Sequence, residues 1–121
     1  MTEKVVADEC GVMPLFMVKK RNFYLFSADE KNVELRAVKP PWKNSEVGDT
    51  ATILSGRQIC RKRITKVHRG SLAKIFWNIN YKRIFPEAST IFDAAKKVKA
   101  LYHDASVFMA FELEPYLNPV T

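Results

Sequence analysis

The sequence is poor in cysteine and glycine, and both shortages exclude classes of protein. Its only cysteines, Cys10 and Cys60, lie far apart and form no Cys-x-x-Cys spacing, so neither a zinc site nor a disulfide scaffold is indicated. Four glycines form no glycine-rich phosphate loop, which argues against a P-loop nucleotide hydrolase. His68 and His103 have no partner at metal-ligand spacing. We therefore expect neither a metal nor a cofactor.

Long apolar runs are also absent. The stretch 107–111 is typical of the longest apolar runs in the sequence, whereas a membrane-spanning helix needs roughly 20 apolar residues. The first ten residues contain three acidic side chains and lack the pattern of a secretory signal. We expect a cytoplasmic protein without a membrane partner. With 121 residues, of which 47% are hydrophobic, we predict one domain at 13–115, an N-terminal tail or extension at 1–12 and a C-terminal tail at 116–121.

Acidic residues are missing from the middle of the chain. Between Thr50 and Pro86 there is no Asp or Glu, and nine basic residues stand there. Removing those nine from the 20 basic residues leaves 11 against 13 acidic ones, so the net charge of +7 arises in this segment. Such a cluster of positive charge is typical of a surface that binds a polyanion such as nucleic acid. The alternative is a basic surface that only contacts solvent. The cations predicted to contact phosphates are Arg57, Arg61, Arg63, Lys66 and Arg69.

The first half of the chain predicts short strands and one short helix. Residues 13–18 are apolar enough for a strand, and residues 20–26 suit a helix. In 32–38 apolar and polar residues alternate, which is the period of a half-buried strand. Pro40 and Pro41 end that strand. The next strand covers residues 50–54.

The second half predicts a long strand, two helices and a final strand. The apolar residues of 59–67 change parity, which a β-bulge near Arg61 to Arg63 would reconcile. Ser71 is a candidate N-cap for a helix, and Thr90 with Asp93 fits a capping box before a longer helix that runs to Tyr102. Residues 107–113 suit the last strand. The aromatic residues in these helical patterns are predicted to pack in the core: Phe76, Trp77 and Phe92.

Strands therefore dominate, and helices are inserted between them without regular alternation. This pattern argues against a doubly wound parallel sheet. It favours an α+β fold, namely a small mixed β-barrel of five to six strands with two to three packed helices.

The segment 30–36, which reads Glu-Lys-Asn-Val-Glu-Leu-Arg, is the most distinctive motif, and a Gly-Asp pair follows it at 48–49. Its Lys31, Glu34 and Arg36 match the pattern K-x-x-E-x-R. In this motif and its surroundings the chain resembles the ASCH domain family of the PUA-like superfamily, over about residues 13–114. The resemblance implies the same small barrel, with a cleft beside the second strand that the motif residues line.

One position departs from the family pattern. The family usually has a glycine in the turn before the motif, where this chain has Ala28 and Asp29. The turn must therefore form without glycine's freedom at positive φ. Aspartate tolerates that conformation.

The motif residues suit the recognition of a base. Lys31, Asn32, Glu34 and Arg36 supply donors, an acceptor and two cations in a small area, which can read a polar base edge and hold phosphate. An ordinary surface ion pair is the alternative. Trp42, beside Lys43, would either stack on an exposed base or cover the end of the barrel.

Three functions remain open. The first is binding of RNA or another single-stranded nucleic acid through a basic cleft. The second is hydrolysis of RNA or a modified nucleoside, of ribonuclease or amidohydrolase type, with Lys31 and Glu34 as the candidate catalytic acid and base. Related amidohydrolases use a threonine three residues after the lysine, and here Glu34 stands there without a hydroxyl, which weakens that hypothesis. The third, suggested by the family's context, is a protein-interaction module with a partner in transcription or translation.

Overall fold

The computed structural model describes residues 14–115, which contain five strands. The predicted tails at 1–12 and 116–121, together with Met13, lie outside the described residues. The strands are β1 (Leu15–Met17), β2 (Val33–Ala37), β3 (Thr50–Ser55), β4 (Gln58–Gly70) and β5 (Phe108–Pro115). The helices are α1 (Lys20–Ser27), α2 (Leu72–Asn78) and α3 (Ile91–Leu101), with a 3-10 helix at Tyr81–Arg83.

The strands form one mixed sheet in the order β1-β3-β4-β5-β2. Only β1 and β3 run parallel, and the other neighbouring strands are antiparallel. Because β1 and β2 are the two ends of this order, the sheet curves into a half-barrel that is open between them. The predicted α+β fold with a small mixed barrel is confirmed.

Hydrophobic residues pack on both faces of the sheet. Inside the half-barrel, Phe16, Phe26, Ile53 and Phe111 are fully buried in one cluster. On the outer face a second cluster lies under the helices, and its buried members include Val33, Leu35, Ile75 and Val98. Both faces of β2 are therefore covered, including the face that carries its polar side chains.

A β-bulge lies in β4, slightly later than the predicted position. The register with β5 shifts between Ile64 and Lys66 rather than at Arg61 to Arg63. Before the shift Ile64 faces the interior, and after it Val67 packs against the same cluster. The extra residue thus keeps apolar side chains inside along the whole strand, which is the effect of a bulge.

Local signals in the sequence are confirmed at the helix starts and in the turn before β2. The Ser71 and Thr90 hydroxyls accept hydrogen bonds from the backbone N–H groups of Lys74 and Asp93, at 3.2 and 3.0 Å. Asp29 adopts φ of 60°, as expected for a residue that takes the place of glycine.

Two aromatic predictions were wrong. Phe76 is partly buried against the outer cluster, but Trp77 is 89% exposed and Phe92 is 80% exposed. Both lie on helix faces that no other element covers in the described part of the chain. Within residues 14–115 no helix combines the length and the apolar character that crossing a bilayer requires.

Candidate functional site

A cleft of about 520 Å³ lies where the half-barrel is open. Its walls come from the end of β1, the start of α1, strand β2, the segment after the 3-10 helix and the last turn of α3. The polar residues that line it are Lys19, Arg21, Asn22, Lys31, Glu34, Arg36, Glu87, Lys97 and Tyr102. Segments far apart in the sequence therefore meet at one opening.

Lys31 is a buried cation in this cleft, with 6% of its surface exposed. Its Nζ lies 5.2 Å from the ring centroid of Phe26 and 5.7 Å from that of Phe85. Such contacts offset part of the hydration that a buried ammonium loses. Burial lowers the pKa of Lys31 below its ordinary value of 10.5, while the charge of Glu34 opposes this shift.

Glu34 is equally buried and is oriented by Arg36. The Arg36 Nε donates to Glu34 Oε2 at 2.5 Å, and its terminal nitrogen donates to the Met17 carbonyl at 2.9 Å. This second hydrogen bond crosses the opening from β2 to β1. Arg36 thus holds the carboxylate in place and ties the two ends of the sheet together.

Tyr102 brings a phenol to the same cleft from the end of α3. Its ring packs edge-on against Phe108, with centroids 6.0 Å apart. Burial raises the pKa of Tyr102 above its ordinary value of 10.0, although the charge of Arg36 acts in the opposite direction. The phenol therefore stays protonated at neutral pH and can donate or accept a hydrogen bond.

Solved structures of other proteins share this architecture. The hypothetical protein PH0355 superposes with a TM-score of 0.66 at 16% identity, covering 86% of this chain and 100% of that one. Protein PF0455 from Pyrococcus furiosus gives 0.66 at 15% identity, covering 88% and 99%. The ASCH protein from Zymomonas mobilis gives 0.61 at 15% identity, covering 83% of this chain and 65% of that one. The chain has the ASCH fold. No protein-family model and no curated protein matches the sequence.

On this ASCH fold, three of the four predicted motif residues meet in the cleft and Asn32 does not. Lys31, Glu34 and Arg36 line it. The Asn32 side chain instead accepts a hydrogen bond from Arg83 Nε at 3.0 Å. Arg83 in turn pairs with Glu112, 3.0 Å away. Asn32 thus belongs to a structural network beside the cleft.

Trp42 packs against the end of the half-barrel. Its Nε1 donates to the Ala37 carbonyl at 2.8 Å, and its ring lies 5.7 Å from Phe16 and 5.2 Å from the Arg36 guanidinium. This is the geometry of a cover over the barrel end. Neither Trp42 nor the exposed Lys43 lines the cleft; the Lys43 carbonyl accepts a hydrogen bond from Arg69.

The five cations predicted to contact phosphates are exposed but lie apart from the cleft, whereas Lys62 of the same segment is buried and pairs with Asp29. Arg57 is in the turn before β4, and none of the five predicted phosphate contacts lines the cleft. Their pairing with β5 places Arg63 opposite Glu114 and Lys66 opposite Glu112. Arg61, Arg63 and Lys66 therefore form a row on the outer face of β4, here called the β4 row, whereas Arg69 points to the inner side.

Sequence reasoning missed the cleft residues from α1, α3 and the segment between the 3-10 helix and α3. Tyr102 was predicted only as the end of its helix, and the signal available for a site was a polar hydroxyl at that terminal position. Arg21, Glu87 and Lys97 carry no local signal, because only the packing of their elements brings them to the opening. No cluster of His, Cys, Asp and Glu suited to a metal occurs among the described residues.

Proposed function

We propose that this protein binds single-stranded RNA or another single-stranded nucleic acid, with one unstacked base held in the cleft. A fold alone does not define a function, so the proposal rests on the site. The observation that carries it is that Lys31 and Glu34, a buried cation and a buried carboxylate, both line one open cleft.

The two side chains offer complementary hydrogen-bonding groups. The Lys31 ammonium donates, and the Glu34 carboxylate, oriented by Arg36, accepts. A base edge that carries a carbonyl oxygen and an amino group would satisfy both. Burial supports selectivity, because a ligand that left either charge without a partner would incur a desolvation penalty of about 1 to 3 kcal/mol or more.

The remaining charges of the lining favour an anionic ligand. Five of its side chains are basic and two are acidic, and Glu87 lies 4.0 Å from Lys97. Lys19 and Arg21 line the cleft at the start of α1 and would contact the phosphates beside a bound base. The β4 row would add affinity that does not depend on sequence.

The test is a binding assay with labelled single-stranded RNA, single-stranded DNA and duplexes of both. We expect Lys31→Ala and Glu34→Gln each to weaken binding of single strands at least tenfold. Lys39→Ala, which removes an exposed lysine outside the cleft, is the matched control and should bind normally. In a double-mutant cycle Lys31 and Glu34 should couple more strongly with ligand than without. Full binding by both cleft variants would refute the proposal.

Hydrolysis is the second candidate, and the lowered pKa of Lys31 favours it. A lysine whose pKa is lowered by burial loses its proton more readily and can act as a general base, and the neighbouring carboxylate can move a proton. Incubating the protein with RNA and with N-acylated nucleosides, and analysing the products, tests this function. Activity that survives in Lys31→Ala would exclude Lys31 as the base.

A further inference from the structure

Trp77 is the most exposed aromatic residue of the described chain, at 89%. Tryptophan is highly buried on average, so an almost fully exposed tryptophan suggests a binding role. Trp77 lies on the outer side of α2 and does not line the cleft. Exposed aromatic rings beside cations are the surfaces on which single-stranded nucleic acids stack their bases.

A small pocket of about 200 Å³ lies on the same helix, between α2 and the end of β4. Its polar lining consists of His68, Arg69, Lys74 and Asn78. His68 lies 2.6 Å from Glu112, and Arg69 and Asn78 donate to backbone carbonyls. Among the described residues, the Lys74 ammonium has no hydrogen-bond or ion-pair partner. Lys74 is therefore the cation of this pocket that can bind an anion.

Gly70 explains why Lys74 can lie across the pocket. Its φ is 147°, and a Cβ at this position would approach Lys74 Cδ to 2.7 Å. The missing side chain of Gly70 therefore makes room for the stem of Lys74. Lys74 precedes Trp77 by three residues, the spacing at which helix side chains are neighbours.

The charge around Trp77 favours nucleic acid over a protein partner or a second copy of the chain. No acidic residue lies on β4 or α2. Lys66 of the β4 row shares its face of the sheet with His68 and leads toward α2. Of the acidic residues opposite this row on β5, Glu112 is already paired with His68 and Arg83, and Glu114 lies at the far end beside Arg63.

We propose that Trp77 and Lys74 form a second nucleotide site, in which Trp77 stacks on a base of a single-stranded nucleic acid and Lys74 contacts the adjoining phosphate in the small pocket. This inference rests on the proposed function, because the ligand is again a single-stranded nucleic acid, but the site uses none of the cleft residues. A strand held in the cleft and along the β4 row would thus have a second point of attachment.

The experiment follows tryptophan fluorescence while single-stranded RNA and DNA oligonucleotides of about ten residues are added to the full chain. Trp42 and Trp77 are the only tryptophans, so the difference between wild type and Trp77→Phe isolates Trp77. We expect quenching of Trp77 by single strands, and none by an abasic strand of equal length. Anisotropy of a labelled strand, measured in parallel, gives the affinity.

Trp77→Leu, which keeps an apolar side chain but removes the ring, should weaken the affinity about fivefold to 100-fold. Phe92→Leu is the matched control, because Phe92 is an exposed aromatic on α3, and it should bind normally. Lys74→Ala should lower the slope of log affinity against log salt by about one.

Strands that bind without quenching Trp77 would overturn the second site and leave the cleft proposal intact. Equal losses in Trp77→Leu and Phe92→Leu would also overturn it, since exposed apolar side chains in general would then be responsible. Dimerisation without nucleic acid that Trp77→Leu abolishes would assign the surface to a second copy. Absence of any binding by the wild type would overturn both proposals.

Discussion

The ammonium group of Lys31 lies among apolar side chains, where burial removes most of its hydration. Two aromatic rings and the charge of Glu34 compensate in part, yet the pKa of Lys31 remains below 10.5. The charged form is therefore less favourable in the folded state than in the unfolded chain. Such a buried charge lowers the stability of the folded state.

Lys31→Met should raise stability and abolish binding. The substitution keeps the length of the side chain and removes the buried charge, so we expect a gain of about 0.5 to 2 kcal/mol at neutral pH. The pH dependence follows from linkage: between the lowered pKa and 10.5 the unfolded state binds more protons. Wild-type stability should rise with pH in that window relative to the variant, and urea unfolding at several pH values measures it. A variant less stable than wild type at pH 7 would contradict this account.

Trp42→Ala should lower stability by about 2 to 3 kcal/mol. The variant loses the contacts with Phe16 and Arg36 and leaves the Ala37 carbonyl without its donor. If Trp42 only covers the barrel end, the affinity per folded molecule should stay unchanged. Weaker binding by folded Trp42→Ala, at unchanged stability, would instead support base stacking by Trp42.

At the scale of the element, β4 presents different residues on its two faces. Its bulge between Ile64 and Lys66 keeps Ile64 and Val67 inside while the β4 row stays outside. The same strand supplies His68, which meets Glu112 of β5. This one long strand thus contributes apolar side chains to the core, basic side chains to the outer surface and a histidine that pairs with β5.

Changing Arg61 and Arg63 together to Ala should weaken binding of all single-stranded sequences alike. Each phosphate contact that is lost should reduce the slope of log affinity against log salt by about one. Lys96→Ala with Lys99→Ala removes two exposed cations of α3 and controls for net charge. An unchanged slope in the β4 variant would show that this row is only a solvated face.

Glu112→Gln should destabilise the protein by about 1 to 2 kcal/mol at neutral pH. Burial raises the pKa of Glu112, but hydrogen bonds and charges from His68 and Arg83 outweigh it, so the pKa lies below 4.5. A carboxylate with a lowered pKa contributes stability above its unfolded pKa and loses it as the pH falls through the folded value. The difference from wild type should therefore disappear in acid. Glu114→Gln makes the same change at an exposed position of the same strand and should cost less stability than Glu112→Gln in thermal unfolding at neutral pH.

For the molecule as a whole, β5 joins the two hydrophobic clusters. Ala110 belongs to the outer cluster under the helices, and its neighbour Phe111 belongs to the interior of the half-barrel. Burial on both faces couples the helices to the barrel through one strand. The cleft, which has walls from both parts, depends on that coupling.

Phe111→Ala should destabilise the entire described domain by about 3 to 5 kcal/mol. Because the clusters share β5, we expect helix content by circular dichroism and Trp42 fluorescence to change in one coincident transition. Phe111→Leu should behave in the same way with a smaller loss. Phe92→Ala makes the same change at a position that is 80% exposed and should stay within about 0.5 kcal/mol of wild type. Separate transitions for helix and barrel would refute the coupling.

Local geometry was predictable from the sequence because it depends on neighbouring residues. Ser71 and Thr90 cap their helices, Asp29 takes the positive φ of a glycine turn, and Val33 alternates with Glu34 along β2. The motif residues Lys31, Glu34 and Arg36 were also identifiable, since their spacing resembles that of a known family. Each of these features is set within a few residues of chain.

Only the tertiary structure decided which faces are covered and which segments meet. Phe92 and Trp77 follow apolar helical patterns, yet they are exposed because no described element packs on their side. Glu34 follows the pattern of an exposed strand face, yet it is buried where α1 and α3 close over β2. Burial depends on what lies opposite a residue in space, and the strand order that brings β1 and β2 to the two edges of the cleft arises from contacts between distant parts of the chain.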